Sequence, residues 1–151
     1  LLKNIRKLRW SIVEQKPLIE KGKDDFENEI LKFYFNIEDS TIDFQPNLVL
    51  LSSVIQYVEK PFEILSNLID TNAKTFIIDR TPFINEGRDI LKLQHLSKDM
   101  GGHIYPSWFF SETCFIDFFE SKGYRKYISF ECDEDFGVGQ FKGIVLQRTK
   151  C

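Results

Sequence analysis

The sequence predicts an α/β fold built on a mainly parallel sheet, and three observations carry that prediction. Residues 48–51, LVLL, are apolar without alternation, as expected of a strand covered on both faces. That strand leads through Ser52 and Ser53 to residues 61–71, where Phe62, Leu65, Leu68 and Ile69 recur at helical spacing behind a proline suited to a helix start. The same alternation of short apolar strand and helix continues over most of the chain, the pattern of parallel strands joined by crossover helices on both faces.

Taken in order, strands are expected at about residues 10–14, 31–35, 48–51 and 75–79. Helices are expected at 17–28, interrupted in character by Gly22, and at 61–71. Residues 80–107 contain Pro82, Gly87, Gly101, Gly102 and Pro106 and read as a long loop inserted into a single domain of residues 1–151. Ser111 is a suitable N-cap for a helix with Phe115, Phe118 and Phe119 on one face, and Gly123 stands at its stop position. The last strands, at 124–131 and 141–148, are joined by the turn CDEDFGVGQ, too short for a helical crossover, so they are expected to form an antiparallel hairpin.

Composition narrows the functional classes. A chain of 151 residues that is 42% hydrophobic, with 15 Phe, can bury a sizeable core of large rings. A net charge of −3 carries no nucleic-acid footprint, since such partners select basic patches. No apolar run approaches the roughly 20 residues that span a bilayer. The cysteines, Cys114, Cys132 and Cys151, are widely spaced and odd in number, which points to neither a disulfide framework nor a zinc site, and no metal is expected. Free thiols of this kind suit a reducing cytoplasm.

Several polar residues stand where an α/β sheet places ligands, at the carboxyl ends of its strands. Asp79 and Arg80 end the apolar run TFII, and a charged pair there needs a partner, either a polar ligand or each other. The guanidinium of Arg80 would suit a carboxylate or phosphate. His95 and His103 are the only histidines, and either could take a proton near neutral pH or simply pack in the segment that carries it. Tyr105 and Trp108, in YPSWFF, combine an aromatic face with a polar handle and could wall a ligand crevice, whereas Phe109 and Phe110 suit the core. Neither Gly101-Gly102 nor Gly137-Val138-Gly139 joins a strand to a helix, so neither reads as a phosphate-cradling turn.

The segments RWSIVEQKP, LVLLSSVIQYVEKPFEIL and TFIIDRTPF resemble strands two, four and five of class I S-adenosylmethionine-dependent methyltransferases. With YPSWFFSETCFIDFFESKGY, nearly the whole chain is similar to a narrower bacterial group of that superfamily, often associated with surface-polysaccharide gene clusters. The resemblance implies a Rossmann-like fold, S-adenosylmethionine as cofactor, and methyl transfer to oxygen or nitrogen of a small polar acceptor such as a sugar. It places Glu14 on the ribose hydroxyls, and Phe35, Asn36 and Ile37 around the adenine. Ser52 and Ser53 fall beside the methionine end of the cofactor. Gln56, Tyr57, Asp79, Arg80, Tyr105 and Trp108 fall on the acceptor side, and His95 becomes the first candidate base.

Ordinary roles compete with these assignments. Glu14 could be a solvated acid after a strand, Phe35 a core residue, and the two serines caps of the following turn. The glycine-rich turn after the superfamily's first strand has no counterpart in these residues, which begin Leu-Leu-Lys-Asn-Ile, so that strand is expected to be absent from the chain shown. In that superfamily the first strand is central. Without it two apolar edges would lie open, and self-association and poor cofactor affinity are expected. Two other functions fit the pattern: a non-catalytic interaction domain on the same fold, and a nicotinamide-dependent oxidoreductase, against which SSVIQYV and the terminal hairpin speak.

Overall fold

The computed structural model describes residues 5, 7–95, 98, 101–132 and 139–149. Backbone contacts divide the chain into two compact units, Leu1–Pro46 and Asn47–Cys151.

In the first unit, β1 (Trp10–Val13) and β2 (Leu31–Tyr34) pair in parallel, from Trp10 opposite Leu31 to Val13 opposite Tyr34. The crossover is α1 (Lys16–Phe26), which has a proline in its first turn. Gly22 does not interrupt α1. It is buried, and the ring of Phe33 on β2 occupies the space a Cβ would take, 2.4 Å from its ideal position. The glycine is therefore a packing residue that lets helix and strand approach closely. A short helix that periodicity did not reveal, α2 (Ile37–Asp43), follows β2, and Asn36 caps it by accepting a hydrogen bond from the Asp39 N–H. Seven residues are too few to show a helical stripe.

The second unit begins with β3 (Leu48–Ser52), a 3-10 turn at Ile55–Tyr57 and α3 (Pro61–Asp70). Next come β4 (Thr75–Ile84), β5 (Ile90–His95), β6 (Ile104–Ser111) and α4 (Glu112–Ser121), then β7 (Tyr124–Glu131) and β8 (Gln140–Arg148). β4 is the hub. Its first half pairs in parallel with β3, its end pairs in parallel with β6, and β8 runs antiparallel along it. β7 pairs antiparallel with β8, as the sequence led us to expect, and residues 133–138 of the connecting turn, including Gly137 and Val138, lie outside the described residues.

The expected loop at 80–107 is largely strand. β4 continues to Ile84 through the buried Pro82, and β5 and β6 form an antiparallel ladder from Ile90 opposite Phe109 to His95 opposite Ile104. Prolines within two of these strands masked the pattern, because proline cannot donate to a ladder and ordinarily marks a break. The caps of α4 are those expected: Ser111 accepts from the Cys114 N–H, and Gly123 follows with a φ of 81°.

The core of this unit is aromatic. Phe76, Phe83, Phe110, Phe115, Phe119 and Tyr124 are buried around β4 and α4, with Val49, Leu65, Ile78, Ile144 and Leu146 filling between them. Several ring pairs meet edge to face, Phe76 with Tyr124 at 88° and Phe83 with Phe115 at 79°, the arrangement that ring quadrupoles favour.

Candidate functional site

The carboxyl end of β3 meets the middle of β4, where Ser52 lies opposite Asp79. The Ser52 hydroxyl donates to Asp79 Oδ2 at 3.0 Å, and the Cys132 thiol lies 3.7 Å from Oδ1. The ladder extends one step further, with the Ser53 N–H donating to the Asp79 carbonyl at 2.9 Å. β3 ends here, and β4 departs from regular geometry before it continues to Ile84. Ser53 has φ 54° and Arg80 φ 51°, in the left-handed region that non-glycine residues avoid. At the same point β4 slips register against β8 between Ile78 and Thr81, a bulge that re-aims side chains within the strand.

Gln56 sits behind this junction, fully buried at 0% exposure. Its Nε2 donates to Ser53 Oγ at 3.2 Å and to the Arg80 carbonyl at 3.1 Å, and a carbonyl partner fixes which end of the amide is nitrogen. Its Oε1 is buried with no hydrogen-bond partner. The next residue, Tyr57, is exposed and meets Tyr105 edge to face at 5.3 Å between ring centres. Burial first, then Tyr57, raises the pKa of the Tyr105 phenol, so it stays protonated at neutral pH.

The second unit therefore brings together Ser52, Ser53, Gln56, Asp79 and Arg80 at one sheet edge, with Tyr57 and Tyr105 as a pair beside the same 3-10 turn. Trp108 is placed differently. Its indole N–H donates to the Val58 carbonyl at 3.1 Å, and its ring packs against the core. His95 ends β5 with its side chain exposed. One residue joins this neighbourhood without a sequence signal: Cys132, which follows β7, reaches Asp79.

The remaining expected residues belong to the first unit. Glu14 follows the last residue of β1, and its Oε2 accepts from the Gln15 N–H at 2.5 Å. Phe35 follows β2, is 49% exposed, and carries the Lys23 ammonium over its ring at 5.0 Å. The Asn36 side chain is occupied in capping: Oδ1 accepts from the Asp39 N–H at 2.7 Å and Nδ2 donates to Asp39 Oδ2 at 2.9 Å. Ile37 opens α2, half-buried. On the α2 side of this sheet a cleft of about 150 Å³ is lined by Ser11, Lys32, Tyr34 and Asp43 among others. There the Tyr34 hydroxyl donates to the Asp43 carboxylate, and burial together with that anion pushes its pKa up to about 12. Among the described residues, no group of three or more His, Cys, Asp or Glu could hold a metal ion, and no helix is long and apolar enough to cross a membrane.

Comparison with solved structures then gives the architecture its place. A protein of Listeria monocytogenes, assigned as an S-adenosylmethionine-dependent methyltransferase, matches 94% of this chain and 81% of its own with a TM-score of 0.65 at 13% identity. The fold is Rossmann-like, as in that protein. The N-terminal domain of EvdMO1, crystallised in the presence of S-adenosylhomocysteine and D-fucose, matches over 97% of this chain and 69% of its own, with a TM-score of 0.61 and 8% identity. A pericyclic reaction enzyme matches over 96% of this chain and only 37% of its own, with a TM-score of 0.57 and 11% identity. No protein-family model matches the sequence, and no curated protein does.

Proposed function

We propose that this chain belongs to an S-adenosylmethionine-dependent methyltransferase that acts on oxygen or nitrogen of a small polar acceptor, with a sugar as the acceptor class to test first. The observation that carries the reading is the Ser52–Asp79 pair, a hydrogen-bonded polar junction at the carboxyl end of β3 where it pairs in parallel with β4, in a fold shared with an assigned methyltransferase. The pericyclic enzyme on the same fold shows that reaction type follows from the site rather than the scaffold. The sugar class draws on the bacterial group that the sequence resembles and on the D-fucose present with EvdMO1.

The residues present fit the cofactor in kind. Glu14, whose Oε2 accepts from the neighbouring backbone N–H, suits a vicinal diol, and the exposed ring of Phe35 suits a flat base. Asn36 would act through its backbone, since its side chain caps α2. Ser52 and Ser53 would border the methionine end. The bound cofactor supplies an activated methyl group, so the protein's task is to hold the acceptor in line and exclude water. Gln56 would act from behind the junction, Tyr57 and Tyr105 would wall the acceptor with Trp108 packed behind, and Arg80 would meet an anionic substituent. Asp79, already oriented by Ser52, is better fixed to receive the acceptor's proton than the exposed His95, and the pair can be separated by Asp79→Asn and His95→Ala.

Both units are read as parts of one catalytic domain in a reducing cytoplasm. Trp10, Val13, Leu48 and Leu50 are each 40% to 44% exposed on β1 and β3, which supports self-association of residues 1–151. A monomer by light scattering at 100 times the concentration used for binding would remove that expectation.

The deciding experiment is calorimetric titration of S-adenosylmethionine into the full-length protein, with Glu14→Ala alongside. Micromolar binding lost in the variant supports the reading. A folded full-length protein that binds neither S-adenosylmethionine nor S-adenosylhomocysteine refutes it and moves weight to the interaction domain.

A further inference from the structure

Two non-glycine residues in the left-handed region, one just past the end of β3 and one at the bulge within the adjacent β4, are unusual, and each is strained unless its surroundings over-determine it. One side chain reaches both Ser53 and Arg80. Gln56 uses both hydrogens of its amide, one on the Ser53 hydroxyl and one on the Arg80 carbonyl, from a fully buried position in the 3-10 turn. The turn is itself pinned, by the fully buried Ile55 and by the Tyr57 N–H donating to the Val54 carbonyl at 2.9 Å. On the far side of Arg80, the buried Thr81 hydroxyl donates back to the Asp79 carbonyl at 3.2 Å. Released from these bonds, Ser53 and Arg80 would relax to negative φ. The β4–β8 ladder would then run without its slip at Ile78–Thr81, and the Asp79 carboxylate would leave Ser52.

We propose that Gln56 is a positioning residue, a clasp that stores backbone strain at Ser53 and Arg80 and thereby holds Ser52 and Asp79 in the geometry that the cofactor edge requires. The inference rests on the methyltransferase reading for what that edge binds, but not for the clasp itself. Gln56 touches no ligand in this account. Its unpartnered Oε1 is the cost of orienting Nε2 toward a backbone carbonyl, and a glutamate there could not replace it, because a carboxylate cannot donate to that carbonyl.

The test uses the full-length protein, with Gln56→Met, which keeps the volume and removes the donors, in the presence and absence of Arg80→Gly. Glycine adopts the left-handed region without strain, so the second change should make the clasp dispensable. Two readouts are taken: the melting temperature without ligand, and the calorimetric Kd for S-adenosylhomocysteine. The expected results are a melting temperature lowered by Gln56→Met and recovered in the double variant beyond what Arg80→Gly adds to the wild type. The Kd should rise at least tenfold in Gln56→Met and return to within about threefold in the double variant. Additive melting temperatures would overturn the clasp, and unchanged affinity in Gln56→Met would overturn its role at the cofactor edge. If the melting temperatures couple but the wild type binds no S-adenosylhomocysteine, the methyltransferase reading and the role assigned to the edge both fall, while the clasp stands.

Discussion

Replacing Gly22 by alanine sets two opposing effects against each other, and the structure decides their order. In an ordinary helix interior the change gains about 1 kcal/mol, because alanine loses less backbone entropy on folding. Here the new Cβ would lie 2.4, 2.6 and 2.9 Å from three carbons of the Phe33 ring. Phe33 is only 8% exposed, so its ring has little room to yield. Overpacking of that kind costs about 1–3 kcal/mol. The balance is a net destabilisation of about 1 kcal/mol, opposite in sign to the propensity argument. Urea denaturation followed by far-ultraviolet circular dichroism measures it as a lower midpoint at unchanged slope. The double variant Gly22→Ala/Phe33→Leu should recover more than the single changes predict in sum, since the smaller side chain makes room for the methyl group. A Gly22→Ala protein whose midpoint rises by the full propensity gain would refute the close packing of α1 on β2.

Two further perturbations address the second unit. Tyr124 is fully buried and its hydroxyl donates to the Ala73 carbonyl at 2.6 Å, so Tyr124→Phe should cost about 1–2 kcal/mol by thermal denaturation, the loss of one bond and a stranded carbonyl. An unchanged melting temperature would contradict it. Glu112 accepts from Lys142 at 2.6 Å and from Lys126 at 3.4 Å, and the Lys142 bond leads the lowering of its pKa below the ordinary glutamate value. A depressed carboxylate contributes stability that is fully present above the unfolded pKa of about 4.3 and is lost as pH falls through the lowered value. Glu112→Gln should therefore lose roughly 1 kcal/mol at pH 7 and converge with the wild type as pH falls through that lowered value. Parallel stability curves across that range would show that the pair contributes nothing.

Much of this protein was legible in its residues because the signals concerned are local. The unbroken apolar run at 48–51 and the spacing of Phe62, Leu65 and Ile69 mark a strand and an amphipathic helix, but the run overstates the strand's burial, since Leu48 and Leu50 lie exposed on one face of β3. Ser111 and Gly123 mark helix ends through the hydrogen bonds that such residues make near themselves. Ser52, Asp79 and Arg80 are visible as polar residues after apolar runs, although only Ser52 ends its strand, since β4 continues to Ile84. Only the tertiary structure could decide the rest. That Gly22 serves packing depends on a ring eleven residues away, and that Pro82 and Pro106 lie within strands depends on which ladder positions their neighbours pair. The roles of Gln56, Cys132 and Trp108 depend on hydrogen-bond partners in other elements. A sequence states what each side chain can donate, accept or bury, but which groups meet is set by the close packing of distant segments, and no local pattern encodes that.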